Sequence, residues 1–84
     1  LDVRTDAEWE AGHIEGAVHV HGGLLQDRLD EVPADGNGIA VVCGSGYRST
    51  VAASVLGRAG FADVRNVPGG MNAWQRIGLP TVRD

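Results

Sequence analysis

Apolar positions in this chain fall into short runs separated by glycine, proline and charged residues, and the period of the runs alternates along the sequence. Ile39-Ala40-Val41-Val42 is apolar throughout. That is the pattern of a central parallel strand covered on both faces, whereas a half-exposed antiparallel strand alternates. Ala17-Val18-His19-Val20-His21 does alternate and predicts a second strand; Leu1-Asp2-Val3-Arg4 reads as the end of another, and Val64-Arg65-Asn66-Val67 as a short further one. Helical spacing lies between them. Thr5-Asp6-Ala7-Glu8 matches a capping box, with Thr5 as N-cap and Glu8 reaching back to its amide, and predicts a short helix that stops at Gly12. Leu24, Leu25, Arg28 and Leu29 repeat at helical intervals before Pro33 and the turn Asp35-Gly36-Asn37-Gly38. Val51, Ala52, Ala53, Val55, Leu56 and Ala59 make a mostly apolar helix from Ser49 to Ala59, buried against the sheet and ended by Gly60. After the turn Pro68-Gly69-Gly70, a last helix runs from Met71 to Arg76. Met71, Trp74 and Ile77 there are assigned to the core, and Trp9 to another edge of it.

Strands alternating with helices predict an α/β fold, an open parallel sheet flanked by helices. No linker, repeat or low-complexity segment divides the chain, so residues 1–84 are read as one domain. A formal net charge of −4 excludes a broad basic footprint for nucleic acid. No apolar run approaches the roughly 20 residues that span a bilayer, and no basic amphipathic stretch suggests attachment to one. The single cysteine cannot form an internal disulfide. A lone thiol suits a reducing compartment, so the expected location is the cytoplasm.

That cysteine occupies a telling place. In open α/β sheets active sites lie just beyond the carboxyl ends of the strands, and Cys43 directly follows the run 39–42. Gly44 and Gly46 allow the backbone after it to curl so that successive N–H groups point inward as a nest. The helix N-terminus that follows, together with Arg48, adds positive potential. Such surroundings lower a thiol's pKa from about 8.5 into the range of roughly 3.5 to 7.5. Cys43 is therefore a candidate thiolate nucleophile. The bland alternative is a small apolar residue packed at a strand end, but Gly-Ser-Gly and an arginine are not needed for that. Between Cys43 and Arg48 stand only Gly44, Ser45, Gly46 and Tyr47. Protein tyrosine and dual-specificity phosphatases place one residue more between cysteine and arginine and hold a tetrahedral phosphate; the tighter loop suits one extra sulfur atom better.

The loop Cys-x-x-Gly-x-Arg-Ser, here Cys43 to Ser49, resembles that of the rhodanese sulfurtransferases. Asp2-Val3-Arg4 followed by Glu8-Trp9-Glu10-Ala11-Gly12-His13-Ile14-Glu15-Gly16-Ala17 resembles the family's amino-terminal motif, and Pro68-Gly69-Gly70-Met71-Asn72-Ala73-Trp74 its carboxyl-terminal one. The resemblance implies that Cys43 takes a sulfane sulfur from a donor, holds it as a persulfide and passes it to a thiophilic acceptor. The loop from Gly44 through Ser45, Gly46, Tyr47 and Arg48 to Ser49 would bind the substrate: its amides would stabilise the persulfide, and Arg48 would support the loop or greet an anionic donor. Neither metal nor cofactor is implied. With no second cysteine to resolve the persulfide, the acceptor must come from outside, as cyanide, glutathione or a partner's thiol. Many thiosulfate-using rhodaneses put Arg or Lys directly after the cysteine. Gly44 and Ser45 are neutral, and Cys-Gly-Ser-Gly is more like mercaptopyruvate sulfurtransferases, which usually lack the loop-ending arginine; the reading therefore leans to a thiol persulfide as donor. The family usually carries one more strand and helix before the position of Asp2, so an N-terminal strand and helix are expected to be missing here. Single-domain relatives are often fused behind a metallo-β-lactamase-like persulfide dioxygenase domain, which makes such a domain an expected upstream partner. The competing readings are a non-catalytic rhodanese-like binding or regulatory module and a cysteine-dependent phosphatase.

Other features carry less. His19 and His21 share one strand face, a spacing that suits zinc, but two ligands alone rarely make a site, and no metal is expected. His13 is assigned a hydrogen-bonded structural place, and Asp2 with Arg4 the organisation of charge near a strand end. Tyr47, inside a tight loop, either lines the mouth of the pocket or stands merely exposed.

Overall fold

A computed structural model describes residues 1–33 and 38–83; positions 35–37 of the turn expected at 35–38 lie outside the described residues. The sheet is built around the start of the chain. Strand β1, Ile39–Val41, pairs in parallel with β2, Val64–Asn66, in the register Ile39 to Val64 and Val41 to Asn66. On the other side of β1, Asp2 forms parallel bridges to Val42 and to His19. The amide of Val3 donates to the Val42 carbonyl at 3.0 Å, that of Asp2 to the Val18 carbonyl at 2.8 Å, and that of Val20 to the Asp2 carbonyl at 3.0 Å. Residues 18–20, residues 1–3, β1 and β2 therefore lie side by side and all run the same way. The first two contribute single bridges rather than full strands, because both segments turn away within a few residues.

Helix α1, Asp6–Glu10, begins at the capping box read from the sequence: Glu8 N–H donates to Thr5 Oγ1, and Thr5 N–H donates to Glu8 Oε1. The repeat at 24–29 forms two 3-10 segments, Gly22–Asp27 and Leu29–Glu31, instead of an α-helix. Only Leu25 of these is buried, so too little apolar surface is covered to hold a longer helix there. Helix α2, Tyr47–Arg58, starts two residues earlier than expected, because Gly46 caps it in the left-handed region at φ 106°. It ends in a Schellman motif, Phe61 N–H to the Leu56 carbonyl and Gly60 N–H to that of Gly57. Its buried stripe is Ser49, Ala52 and Leu56, while Val51 is 51% exposed. One face only therefore meets the sheet. In the run 39–42, Ile39 and Val41 are buried on one face; on the other Ala40 is exposed but Val42 is buried, so the expected cover on both faces is only partial. The core gathers Val3, Val20, Leu25, Val32, Ile39, Val41, Ala52 and Leu56 around Cys43. Burying a side chain the size of Leu56 contributes roughly 1.5–3 kcal/mol.

Helix α3, Gly70–Arg76, buries Gly70 and Met71. Ile77, just past its end, is 71% exposed and is not core; Trp74 is half-buried, its indole N–H on the Pro80 carbonyl at 2.9 Å. The start of α3 bears on the residues after β1. Met71 N–H donates to the Cys43 carbonyl at 2.7 Å and Asn72 N–H to the Gly44 carbonyl at 2.8 Å. This close approach needs glycine at position 70, where a Cβ would stand 2.2 Å from the Cys43 oxygen and φ is 56°. Replacing Gly70→Ala is expected to lower unfolding free energy by about 2–4 kcal/mol. Gly57→Ala, at a helical position with open space around it, should raise it by about 0.5–1 kcal/mol. Urea unfolding of the two variants checks both signs.

Candidate active site

Cys43 enters the loop directly from the strand and has no exposed surface. Its neighbours are largely aliphatic, yet a backbone amide and a hydroxyl meet the sulfur. Gly46 N–H donates to Cys43 Sγ at 3.0 Å, and the protonated thiol donates to Ser49 Oγ at 3.4 Å. The carbonyls of Cys43 and Gly44 are held by the amides of α3 and cannot turn toward the sulfur. Burial would push the Cys43 thiol up; the Ser49 hydroxyl and the amides of Ser49, Gly46 and Ser45 outweigh it and hold the thiol below the ordinary cysteine value. Ser45 and Tyr47 face solvent, with Tyr47 76% exposed.

Arg48 does not stand free over the loop. Its guanidinium closes a bidentate pair with Glu8 of α1, Nη1 to Oε1 at 2.6 Å and Nη2 to Oε2 at 3.0 Å. The same Glu8 Oε1 accepts from the Thr5 amide and hydroxyl. One carboxylate thus caps α1 and ties it to the first turn of α2. The hydrogen bond from Arg48 dominates over burial and lowers the Glu8 pKa to about 2. Gly44 lies beneath the pair, and a Cβ there would come within 2.9 Å of Arg48 Nη2. Sequence reasoning saw Glu8 only as a cap. Its partner lies 40 residues away, and no local spacing signals such a pair.

A second group missed from the sequence is Asn66, at the carboxyl end of β2. Its Oδ1 accepts from the buried Ser49 hydroxyl in a short hydrogen bond, while its Nδ2 reaches Thr50 Oγ1 at 3.3 Å. The loop residues Cys43, Gly46, Arg48 and Ser49 are thereby brought together with Glu8 and Asn66. Beside them a groove of about 340 Å³ runs along the exposed face of α2, lined by Val3, His21, Tyr47, Arg48, Val51 and Val55 among others. Cys43 does not open into it.

The histidines serve elsewhere. His13 stacks on Trp9 at 3.5 Å between ring centroids, and Trp9 on His19 at 4.7 Å. His19 Nε2 donates to the Arg4 carbonyl at 2.8 Å. Asp2 and Arg4 form a buried, multiply hydrogen-bonded ion pair that also binds the Gly12 carbonyl. Among the described residues no three His, Cys, Asp or Glu side chains gather as a metal site would require.

Glu8 and Arg48 are 37% and 41% exposed, so water screens their attraction, and Glu8→Gln should cost only about 1 kcal/mol of stability near neutral pH. Because the folded pKa is the depressed one, this contribution is present above the unfolded carboxyl value of about 4.3. It is lost as pH falls toward about 2. Unfolding measured against pH should therefore show the parent and Glu8→Gln curves converging in that acid window.

A family model described as "Rhodanese-like domain" matches residues 1–77. A sulfurtransferase of Allochromatium vinosum is 39% identical over 82 residues, covering 98% of this chain and 76% of that protein. The chloroplastic thiosulfate sulfurtransferase 16 of Arabidopsis thaliana is 39% identical over 92 residues, with coverages of 96% and 77%. Among solved structures, a rhodanese-related protein of Thermoplasma volcanium superposes with a TM-score of 0.90 at 30% identity, covering 100% of this chain and 82% of its own. The family match is to the rhodanese domain and lends no support to the metallo-β-lactamase-like partner expected above. The strand order, the loop after β1 and these relatives lead to one assignment: the chain belongs to the rhodanese-like domain family.

Proposed function

We propose that residues 1–84 act as a single rhodanese-like sulfurtransferase domain in which Cys43 carries the sulfur. The observation that supports this most is the arrangement around Sγ: an amide aimed at it at 3.0 Å, with the two nearest loop carbonyls committed to α3. Such an environment favours a thiolate and, one atom further out, a persulfide anion. The Cys43 thiolate attacks the outer sulfur of a donor R–S–SH. The donor's S–S bond breaks, its electron pair leaves with RS⁻, and Cys43–S–SH remains. An acceptor thiolate then attacks the terminal sulfur, the new S–S bond breaks, and Cys43 returns as thiolate. Each half is an exchange with no net oxidation, so neither metal nor redox cofactor is required.

Glutathione persulfide fits the site better than thiosulfate does. The Arg48 charge is already met by Glu8, and Gly44 and Ser45 supply no cation for a dianion. Because the sulfur has no exposed surface, the loop opens for transfer, with Gly44 and Gly46 on either side of the exposed Ser45 giving it room to move. A second reading draws on that same burial: a rhodanese-like module that binds a partner and never exposes its cysteine.

Intact-mass measurement after incubation with glutathione persulfide, mercaptopyruvate or thiosulfate separates these readings. The expected result is a gain of one sulfur on the chain, absent in Cys43→Ser and more complete with the thiol persulfide than with thiosulfate. An unchanged mass with every donor would favour the binding module; if an aryl phosphate were hydrolysed as well, it would favour a cysteine phosphatase.

A further inference from the structure

The Ser49 hydroxyl has one proton and three neighbours placed to take it. These are Cys43 Sγ at 3.4 Å, the Gly46 carbonyl at 3.1 Å and Asn66 Oδ1. Asn66 Nδ2–H donates to Thr50 Oγ1 at 3.3 Å, and the Thr50 hydroxyl donates to the Gly46 carbonyl at 2.7 Å. With a protonated thiol this chain is complete: S–H to Ser49, Ser49 O–H to Asn66 Oδ1, Asn66 N–H to Thr50, Thr50 O–H to Gly46. With an ionised sulfur it points the wrong way. The sulfur is then an acceptor only, Ser49 directs its proton elsewhere, and a buried anion faces an oxygen lone pair.

We propose that Asn66 is a positioning residue that reverses this chain: as the Cys43 proton leaves for water, the Asn66 carboxamide turns over, donates Nδ2–H to Ser49 Oγ and so directs the Ser49 proton onto the sulfur. After the turn Oδ1 accepts from the Thr50 hydroxyl, and the Gly46 carbonyl keeps the Thr50 backbone N–H at 3.2 Å. A carboxamide suits this exchange because it carries a donor and an acceptor related by rotation about one bond. A carboxylate could only accept from Ser49, and an aliphatic side chain could do neither. The charged groups facing the loop are Arg48 on α2 and Glu8 on α1, which are joined to each other; Arg48 also interacts with the Cys43 sulfur, and it does so equally in all four proteins compared below. The inference rests on Cys43 being the reacting group. Its test needs no sulfur donor, so it can fail while sulfur transfer stands, or hold while transfer fails.

The chain's single cysteine allows its ionisation to be followed by thiolate ultraviolet absorbance against pH. Four folded proteins are compared: the parent, Asn66→Asp, Ser49→Ala and the double variant. The midpoint should rise on Asn66→Asp by about one pH unit more in the parent than in the Ser49→Ala background, because the carboxylate captures the Ser49 proton as well as adding charge. Asn66→Leu reads the same coupling without the charge, at about half a unit, and serves if the aspartate variant does not fold. Equal shifts in both backgrounds, or none in either, would overturn the proposal.

Discussion

The candidate site depends on two backbone hydrogen bonds that join distant parts of the chain. The amides of Met71 and Asn72, opening α3, take the carbonyls of Cys43 and Gly44. A peptide unit is rigid, so engaging the Cys43 and Gly44 carbonyls fixes where the Gly44 and Ser45 amides point, just before the Gly46 amide that meets the sulfur. With those oxygens engaged no carbonyl of Cys43 or Gly44 faces the sulfur, and the Ser49 hydroxyl with the amides of Ser49, Gly46 and Ser45 outweighs the burial that would otherwise raise the thiol's pKa. The Gly-Gly pair before α3 belongs to the same device, since Gly70 lets the helix start lie against the Cys43 backbone with no side chain between them. A motif nearly thirty residues beyond the cysteine thus sets the electrostatics at the cysteine.

Charge is handled in pairs around this loop. Glu8 meets Arg48 across the first turn of α2, and Asp2, bridged within the sheet, meets Arg4. The first pair is half-exposed and contributes modestly to stability. It also ties α1 to the loop and pairs the Arg48 charge beside the sulfur. The second is buried, with its remaining hydrogen-bonding positions turned to the Arg4 amide and the Gly12 carbonyl. Such additional hydrogen bonds are what a buried ion pair needs to offset desolvation.

Contiguous signals were legible in the sequence. The capping box at Thr5, the glycine stop at Gly60 and the loop from Cys43 to Ser49 each depend on residues close together, and each could be read as a pattern. Short-range patterns also misled where tertiary contact decides. The apolar run 39–42 suggested cover on both faces, yet on one of them Val42 is buried and Ala40 is exposed. The helical spacing at 24–29 became 3-10 turns, and Ile77 continued a helical stripe past the point where α3 ends. Glu8 with Arg48, 40 residues apart, and Ser49 with Asn66, 17 apart, could not be seen at all, because only the approach of α1 to α2 and the packing of α2 on β2 bring them together.

The central claim is that main-chain N–H groups, among them that of Gly46 at 3.0 Å from the sulfur, join the Ser49 hydroxyl in holding negative charge on Cys43. Amide NMR through a pH titration tests it most directly, with Cys43→Ser as the control. The account predicts that the Gly46 amide proton moves downfield as pH rises, with a midpoint below that of an ordinary cysteine, and that Cys43→Ser abolishes the movement. A Gly46 resonance indifferent to pH, or one that titrates at or above the ordinary cysteine value, would contradict it.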